Sequence, residues 1–329
     1  MSSFLRKAAA LNASKEGVSN SVSTEPFVST GVPSLDKLVK IQLGNCVLIV
    51  EDGTRSSSSN YASMLLKCMA AEGLALGQSV CILDLIDEKD TRLCSLPLAK
   101  ASSSMEPKTE DSEAAQMTIA WRYRHMADIE QVSSVTGART FDLGSVTDRS
   151  KQLCILAFTD LPRLVNEIRA IATQALEEKK ILRLLIRGLG SPLMELKDSV
   201  KLLYGLRRVL AELKNQMVIV ATVPAHRQDQ SLYLFADRVL SLKSIAGTAF
   251  EDNQAMAEYG GFLSIVKSGH VTGSMAVALP PATSQVYRLK RRSVVFEPFH
   301  LPPALADPAA APPSTGCSSS SAENSLLSF

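Results

Sequence analysis

Short apolar runs alternate with longer amphipathic segments along most of the chain, and this alternation leaves few folds open. Runs such as Cys46 to Glu51, Ile181 to Ile186 and Met217 to Val223 have the length of buried strands. From Leu161 to Leu176, apolar residues recur at helical spacing instead. Strands that are apolar on both faces need helices on both sides of their sheet. The sequence therefore predicts an α/β fold with a mainly parallel central sheet.

Caps and helix breakers set the expected boundaries of the elements. A helix from Asn60 to Glu72 is predicted to end at Gly73. Asp160 is predicted to cap the next helix, and Ser191-Pro192 to open the one after it. Four short strands are predicted toward the C-terminus: Val239 to Leu242, Phe262 to Lys267, Gln285 to Arg291 and Val294 to Phe299.

Composition divides the chain into one folded body and two polar ends. Residues 1–25 and the Pro/Ala/Ser-rich residues 301–329 cannot bury enough apolar surface to offset their ordering entropy, so both are predicted to be disordered. The body, residues 26–300, carries a polar stretch at about 99–116 that is predicted to be a surface insertion. Arg6 and Lys7, before an alanine run, leave a transit peptide open as a minor alternative.

Charge, apolar run length and cysteine usage limit the classes of partner. The formal net charge of +2 is too small for the whole surface to attract nucleic acid, so an RNA site has to be a local patch. No apolar run approaches the ~20 residues that cross a bilayer, so no membrane partner is expected. The six cysteines lie far apart without a CxxC pair, and the four histidines do not cluster. We therefore expect reduced thiols and no metal site.

The segment after the first buried strand has the layout of a phosphate-binding loop without its chemistry. A strand, a glycine loop and a helix bind phosphate because the loop amides and the helix N-terminus point at the anion. If Gly53 is aligned with the first glycine of GxxxxGK[ST], Ser58 replaces the second glycine and Ser59 the lysine. Asn60 then replaces the hydroxyl residue that binds Mg²⁺. The loop lacks all three key residues.

The surroundings of that loop are also unsuited to a metal-bound nucleotide. Glu51 and Asp52 at its entrance would repel a polyphosphate. A catalytic ATPase places an aspartate for Mg²⁺ at the end of a later strand, but here Ile186 is followed by Arg187. The sequence predicts no catalytic residue, and it leaves open whether residues 53–59 are a plain surface loop or bind nucleotide through backbone amides.

A series of short motifs, collinear from about Ser29 to Pro303, resembles one family. The motifs are Ser29 to Asp36, Glu51-Asp52, Tyr61-Ala62, Leu65 to Lys67, Ala71 to Gly73, Gly77, Ile119 to Tyr123, Phe141 to Leu143, Leu189 to Pro192, Thr222 to Pro224, Asp237 to Leu240, Ala246-Gly247, Tyr259 to Phe262, Leu289 to Arg292 and His300 to Pro303. They resemble the PAXNEB family, the family of Elongator complex protein 4. The chain departs from the family at Lys40 to Leu43, which replace a glycine-rich link, and at Ser56 to Ser59, which lengthen the following loop.

This resemblance implies a RecA-like P-loop NTPase fold with degenerate Walker motifs and a role without catalysis of its own. It implies a hetero-hexameric ring with Elongator proteins 5 and 6 that joins the catalytic subcomplex and binds tRNA. That complex carries out carboxymethyl-type modification of the wobble uridine (U34), with the chemistry on another subunit. The implied location is cytoplasmic and also nuclear. No cofactor is expected, and weak ATP binding at ring interfaces stays open.

Two groups of residues are candidates for contact with RNA. Loops after the central strands of RecA-like rings face the channel, which here selects the turn Arg187 to Gly190 and, after Pro224, His226 and Arg227. The densest basic cluster is Arg288, Lys290, Arg291 and Arg292, and strand alternation predicts that three of them, all but Arg291, share one face. Solvated or subunit-interface surfaces are the alternative for both groups.

Two other functions compete with the accessory subunit. One is an active RecA- or RadA-type ATPase acting on nucleic acid, and the other is a free-standing RNA-binding protein. The missing lysine and the missing aspartate disfavour the ATPase. Trp121 and Tyr123, flanked by arginines, fit either stacking on unpaired bases or packing in a core or ring interface.

Overall fold

The computed structural model describes residues 18–20, 26–52, 61–86, 93–100, 139–158, 160–192, 194–213, 216–224, 229–253, 256–268 and 284–299. The helices are α1 (Pro33–Leu38), α2 (Tyr61–Ala75), α3 (Leu161–Glu177), α4 (Leu196–Glu212) and α5 (Gln230–Tyr233). The strands are β1 (Val18–Asn20), β2 (Pro26–Val28), β3 (Cys46–Asp52), β4 (Ser79–Asp84), β5 (Ser95–Ala99), β6 (Phe141–Asp148), β7 (Cys154–Ala157), β8 (Leu182–Arg187), β9 (Met217–Val223), β10 (Arg238–Ser244), β11 (Gly261–Ser268), β12 (Gln285–Lys290) and β13 (Ser293–Pro298).

Nine of these strands form one sheet in the order β13-β12-β11-β10-β3-β9-β8-β4-β7. The strands from β10 to β7 are parallel, whereas β11, β12 and β13 pair antiparallel. The predicted α/β fold with a mainly parallel sheet is confirmed. Because β9 lies between β3 and β8, the strand before the predicted phosphate loop does not touch the strand whose end would carry the metal-binding aspartate.

Two small antiparallel sheets of two strands each lie outside the main sheet, and the sequence predicts neither. β1 pairs with β2, with Val18 opposite Val28, although disorder is predicted up to residue 25. β5 pairs with β6, with Leu96 opposite Thr147. Strands β5 and β6 flank the polar stretch predicted to be an insertion, most of which lies outside the described residues. The polar C-terminal residues 301–329 lie outside them as well.

Apolar side chains cover both faces of the sheet. In β3, Val47 and Ile49 point into a core that α2 covers, whereas Leu48 and Val50 point into a second core that α3 and α4 cover. A strand buried on both faces explains the continuous apolar run in the sequence. In the described part of the chain, none of the helices is both long enough and apolar enough to span a membrane.

Gly73 lies inside α2, so the prediction that it ends the helix is wrong. A Cβ atom at Gly73 would lie 2.7 Å from Val80 Cγ2 and 2.8 Å from Arg183 Cδ. The glycine is therefore needed for the close approach of α2 to the sheet. The helix instead ends before Gly77, whose φ of +67° allows the amide of Gln78 to reach back to the Gly73 carbonyl at 2.9 Å.

Two further predicted boundaries differ from the structure, and one predicted cap is present in position only. Helix α4 begins at Leu196 rather than at Ser191-Pro192, because the Ser191 hydroxyl donates to the Leu85 carbonyl across the loop instead of capping a helix. Asp160 occupies the N-cap position of α3, but its side chain makes no capping hydrogen bond. Strand β12 ends at Lys290, because Arg291 turns back toward β13.

A buried arginine joins the N-terminal segment, α2 and β8. Arg183 is 2% exposed, and its guanidinium donates to Gln78 Oε1 at 2.5 Å and to the Ser29 carbonyl at 2.6 Å. Asp36 in turn accepts from the Ser29 hydroxyl at 3.1 Å and from the Thr30 amide at 2.9 Å. The motif from Ser29 to Asp36 is thus part of the interior.

Charges inside this cluster stabilise one another against desolvation. Burial lowers the pKa of Arg183 to about 10, while Glu72 and Asp36 oppose that shift. Burial raises the pKa of both carboxyls, and the positive charge of Arg183 limits the rise. Removing the arginine would leave two buried acids without their cation.

We expect Arg183→Met to lower the free energy of unfolding by about 3–5 kcal/mol at pH 7, because one partner of a buried ionic cluster is lost. The pH dependence has a definite sign. Without Arg183 the folded-state pKa of Glu72 and Asp36 rises further above the unfolded-state value. The loss of unfolding free energy in the variant therefore grows as pH rises from the unfolded-state pKa to the raised folded-state pKa. The deficit should therefore shrink as pH falls toward 5, measured by urea denaturation.

The matched control is Arg169→Met. Arg169 also pairs with a carboxylate, Glu212, at 3.3 Å, but the two side chains are 40% and 52% exposed. An exposed pair contributes about 0–1 kcal/mol. Equal losses in the two variants would contradict the role given to Arg183.

Candidate functional site at the carboxyl edge of the sheet

The carboxyl ends of the parallel strands meet at one edge of the sheet, where open α/β sheets bind their ligands. Glu51 lies at the end of β3 at this edge. Gly53, Ser58, Ser59 and Asn60 lie outside the described residues, as does the side chain of Asp52. The structure therefore describes the residues on either side of the predicted loop, Glu51 and Tyr61, and not the loop itself.

Glu51 binds the N-terminus of the helix that follows the loop. Its carboxylate accepts a hydrogen bond from the backbone N–H of Ala62, in the first turn of α2. Burial raises the pKa of Glu51, and this hydrogen bond partly offsets the rise. The first amides of such a helix are the groups that hold a phosphate in a working loop. In this chain one of these amides already binds the Glu51 carboxylate. The sequence predicts only that Glu51 would repel a polyphosphate, and does not predict this contact.

Two tyrosines pack beside Glu51 and fill the adjoining space. The rings of Tyr61 and Tyr287 meet edge to face with centroids 4.6 Å apart. Tyr287 is fully buried, and burial together with Tyr61 and Glu51 raises its pKa. A Cβ atom at Gly260 would lie 2.7 Å from Tyr61 Oη, and one at Gly261 would lie 2.5 Å from Tyr287 Oη. The two glycines in the Tyr259 to Phe262 motif therefore make room for the rings.

An internal ion pair occupies the second half of the expected metal–nucleotide site. Arg187, at the end of β8, donates from Nε to Asp84 Oδ1 at 3.0 Å, and the two side chains are 11% and 4% exposed. Asp84, at the end of β4, is thus held by a cation of the chain itself. A carboxylate in such a pair is a poor ligand for Mg²⁺, because binding the metal would strand the buried guanidinium.

Hydrogen bonds also fix the turn that follows Arg187. The Gly188 amide donates to Thr222 Oγ1 at 3.0 Å, and the Leu189 amide donates to the Thr222 carbonyl at 2.8 Å. Gly188 and Gly190 both have positive φ, which suits glycine. Because the Arg187 guanidinium is buried in its pair with Asp84, this turn does not offer it to RNA, contrary to the expectation from sequence.

The basic cluster divides into one neutralised and three exposed residues. Arg288 is bonded to Glu258 and Glu297, and its guanidinium lies over the Tyr259 ring at 5.4 Å. Its side chain is 18% exposed, so its charge is balanced locally. Lys290, Arg291 and Arg292 are exposed at the tip of the β12–β13 hairpin.

The hairpin tip has an unusual backbone. Lys290 pairs with Ser293, which leaves Arg291 and Arg292 as a two-residue turn with φ of +47° and +63°. Such turns normally use Asn and Gly, because β-carbons disfavour positive φ. The predicted alternation is therefore wrong for Arg292, which lies in a turn and not in a strand.

The same tip contacts the two-stranded sheet of β5 and β6. The Leu143 amide donates to the Arg292 carbonyl at 2.8 Å, and Lys100 Nζ donates to the Arg291 carbonyl at 2.8 Å. Arg292 also lies over Gly144 and 3.9 Å from Asp142. Lys100 thus belongs to the basic cluster. The sequence does not predict this, because Lys100 lies far from the other members along the chain.

The remaining predicted contacts are not visible. His226 and Arg227 lie outside the described residues, as do Trp121 and Tyr123. Within the described stretches, no group of three or more His, Cys, Asp or Glu side chains lies close enough together to hold a metal ion.

Comparison with known proteins places the chain in a family. The curated relatives include Elongator complex protein 4 from Xenopus laevis, 28% identical over 85% of this chain and 81% of that protein. The Danio rerio protein of the same name is 24% identical, over 92% and 89% of the two chains. Among solved structures, a KaiC-like protein from Pyrococcus horikoshii is 15% identical with a TM-score of 0.46, covering 83% of this chain and all of that one. The family model described as PAXNEB protein matches residues 11–329. This match spans nearly the whole sequence and agrees with the collinear motifs, so the chain belongs to the PAXNEB protein family.

Proposed function

We propose that the chain is an accessory subunit of Elongator, without catalysis of its own. In this proposal it forms a hetero-hexameric RecA-like ring with Elongator proteins 5 and 6, and the ring binds tRNA for wobble-uridine (U34) modification. Membership of the PAXNEB family and the names of the relatives support the complex. The location that goes with this role is the cytoplasm and also the nucleus.

The observation that carries the absence of catalysis is the internal use of the nucleotide-binding groups. Phosphoryl transfer needs a cation on the β/γ phosphates and a carboxylate free for Mg²⁺. Here an α2 amide binds Glu51, and Asp84 binds Arg187. Both halves of the site are thus engaged by contacts within the chain, which supports a scaffold role for the RecA-like frame.

The exposed cations suggest where tRNA approaches. Lys290, Arg291 and Arg292 project from one hairpin tip, next to Lys100. Phosphate binding by such a patch releases counterions and makes the affinity depend on salt. Arg288 is excluded from this surface because two carboxylates neutralise it.

We expect the full chain to show no ATP turnover above a buffer blank, because the loop lacks the lysine and, among the described residues, Arg187 stands at the end of β8 and pairs with Asp84. Phosphate release is measured with Mg²⁺ and with and without tRNA. Asn60→Ala is the control for contaminating ATPase. A contaminant's rate would not respond to this change in the degenerate loop, whereas the chain's own rate would. A robust rate that Asn60→Ala or Ser59→Ala abolishes would refute the accessory role and favour the RadA-type ATPase.

Co-expression with Elongator proteins 5 and 6, followed by native mass spectrometry, tests the ring. The expected species is a hexamer that contains two copies of each chain. A stable monomer of this chain beside the other two would count against the ring and favour a free-standing RNA-binding protein.

For the tRNA surface, we expect the triple change Lys290→Ala, Arg291→Ala and Arg292→Ala to weaken binding by the assembled ring. The slope of log affinity against log salt should fall in magnitude by about 2–3, since each phosphate contact contributes about 0.7–0.9. Fluorescence anisotropy with labelled tRNA over a salt series measures both quantities.

The matched control removes three exposed cations elsewhere, with the changes Lys197→Ala, Lys201→Ala and Arg208→Ala on α4. Both triple variants lose the same formal charge, although Lys197 and Lys201 in the control already pair with Glu195 and Asp198. If the two variants bind tRNA alike, the hairpin tip is not the contact surface. Native mass spectrometry of each variant shows whether the ring is intact.

A further inference from the structure

Two cysteines from distant parts of the sequence lie directly beside each other at the edge of the main sheet. Cys81 in β4 is the register partner of Cys154, the first residue of β7. Both side chains belong to the face that α3 and α4 cover. The two thiols are close enough for each to shift the pKa of the other. The sequence reading treated these cysteines as isolated, because 73 positions separate residues 81 and 154.

The backbone geometry at this pair suits a disulfide. Neighbouring strands lie about 4.8 Å apart, which falls inside the range of about 4.4–6.8 Å that disulfides span between Cα atoms. Register partners in a parallel pair point to the same face, so the two β-carbons face the same side of the sheet. Bond formation requires side-chain rotation and a small approach of the two β-carbons, to the separation of about 3.5–4.5 Å that disulfides need.

The two thiols differ in exposure and in acidity. Cys81 is 1% exposed, whereas Cys154 is half-buried on β7, the terminal strand of the sheet. The Cys81 thiol donates a hydrogen bond that lowers the pKa of Cys154 to about 7, against the opposing effects of burial and Glu167. The same pairing raises the pKa of Cys81. Cys154 is thus the accessible nucleophile and Cys81 the internal partner.

The other buried cysteines have a different environment. Burial raises the pKa of Cys46 and of Cys68 to about 12. Both are almost fully enclosed, so neither thiol has the exposure or the thiolate character that oxidation requires.

We propose that Cys154 and Cys81 form a redox-active thiol pair that a hydroperoxide converts into a disulfide. The Cys154 thiolate attacks the distal peroxide oxygen, the O–O bond breaks, and sulfenic acid forms as hydroxide leaves and takes a proton. The Cys81 thiol then attacks the Cys154 sulfur, the S–O bond breaks, and water leaves with the Cys81 proton. Two thiols and one hydrogen peroxide thus give one disulfide and two waters.

The test treats the reduced full chain with a slight excess of hydrogen peroxide, then blocks free thiols by alkylation and maps peptides by mass spectrometry. The expected product is a Cys81–Cys154 cross-linked peptide pair with the loss of two hydrogens, reversed by dithiothreitol. Cys46 and Cys68 should remain alkylated thiols. In the untreated protein, iodoacetamide should modify Cys154 at least ~10-fold faster than either of them.

Three variants separate the roles of the two thiols. In Cys81→Ala, the sulfenic acid on Cys154 cannot be resolved, so dimedone should trap it. In Cys154→Ser, the cross-link and the dimedone adduct should both disappear. Cys68→Ser is the matched control for a lost buried thiol and should form the cross-link as the unaltered chain does.

Several outcomes would overturn the proposal. One is the absence of the Cys81–Cys154 cross-link at a peroxide dose that oxidises a cysteine-containing model peptide. Another is a disulfide or dimedone adduct that forms mainly at Cys94 or Cys317. Circular dichroism of each variant checks folding, and if Cys81→Ala fails to fold, the iodoacetamide rates of the unaltered chain decide the question.

Discussion

Arg183 holds three parts of the chain in one arrangement. Its guanidinium bonds the carbonyl of Ser29 in the N-terminal segment and the side chain of Gln78 after α2, while its own backbone belongs to β8. A fully buried cation carries a large desolvation penalty, which Glu72 and Asp36 offset. Gly73 leaves the space that the arginine stem occupies. The position of α2 against the sheet follows from these contacts, and with it the position of the helix N-terminus that Glu51 binds.

The carboxyl edge of the sheet shows how a nucleotide site can be closed without loss of the fold. The parallel strands and the helix that follows the loop are both present. The polar groups of the site, however, bond one another: Glu51 with the α2 amide, and Asp84 with Arg187. Each contact replaces an interaction that a phosphate or a metal ion would otherwise supply. The site is thereby closed by contacts within the chain, which agrees with the proposed role without catalysis.

The regular parts of the structure could be predicted from the sequence, because period and length are local properties. Met217–Val223 matches its predicted strand, and α3 lies within one residue of the prediction. The failures concern contacts between distant segments. Gly73 resembles a helix terminator unless the arginine behind it is known. Similarly, Arg288 resembles a free cation until Glu258 and Glu297 are placed beside it. Lys100 and the Cys81–Cys154 pair have no sequence signal, since only the topology brings them to their partners.

The turn at Arg291 and Arg292 places two bulky cations in the left-handed region, where β-carbons cost about 1–2 kcal/mol per residue. Asn-Gly would relieve that strain and would make the hairpin a better folding unit. The present residues therefore keep charge at a point where backbone preference opposes it. At this tip the residues that carry surface charge lower the stability of the turn. Selection for thermal stability alone would therefore favour uncharged residues such as Asn and Gly in the turn.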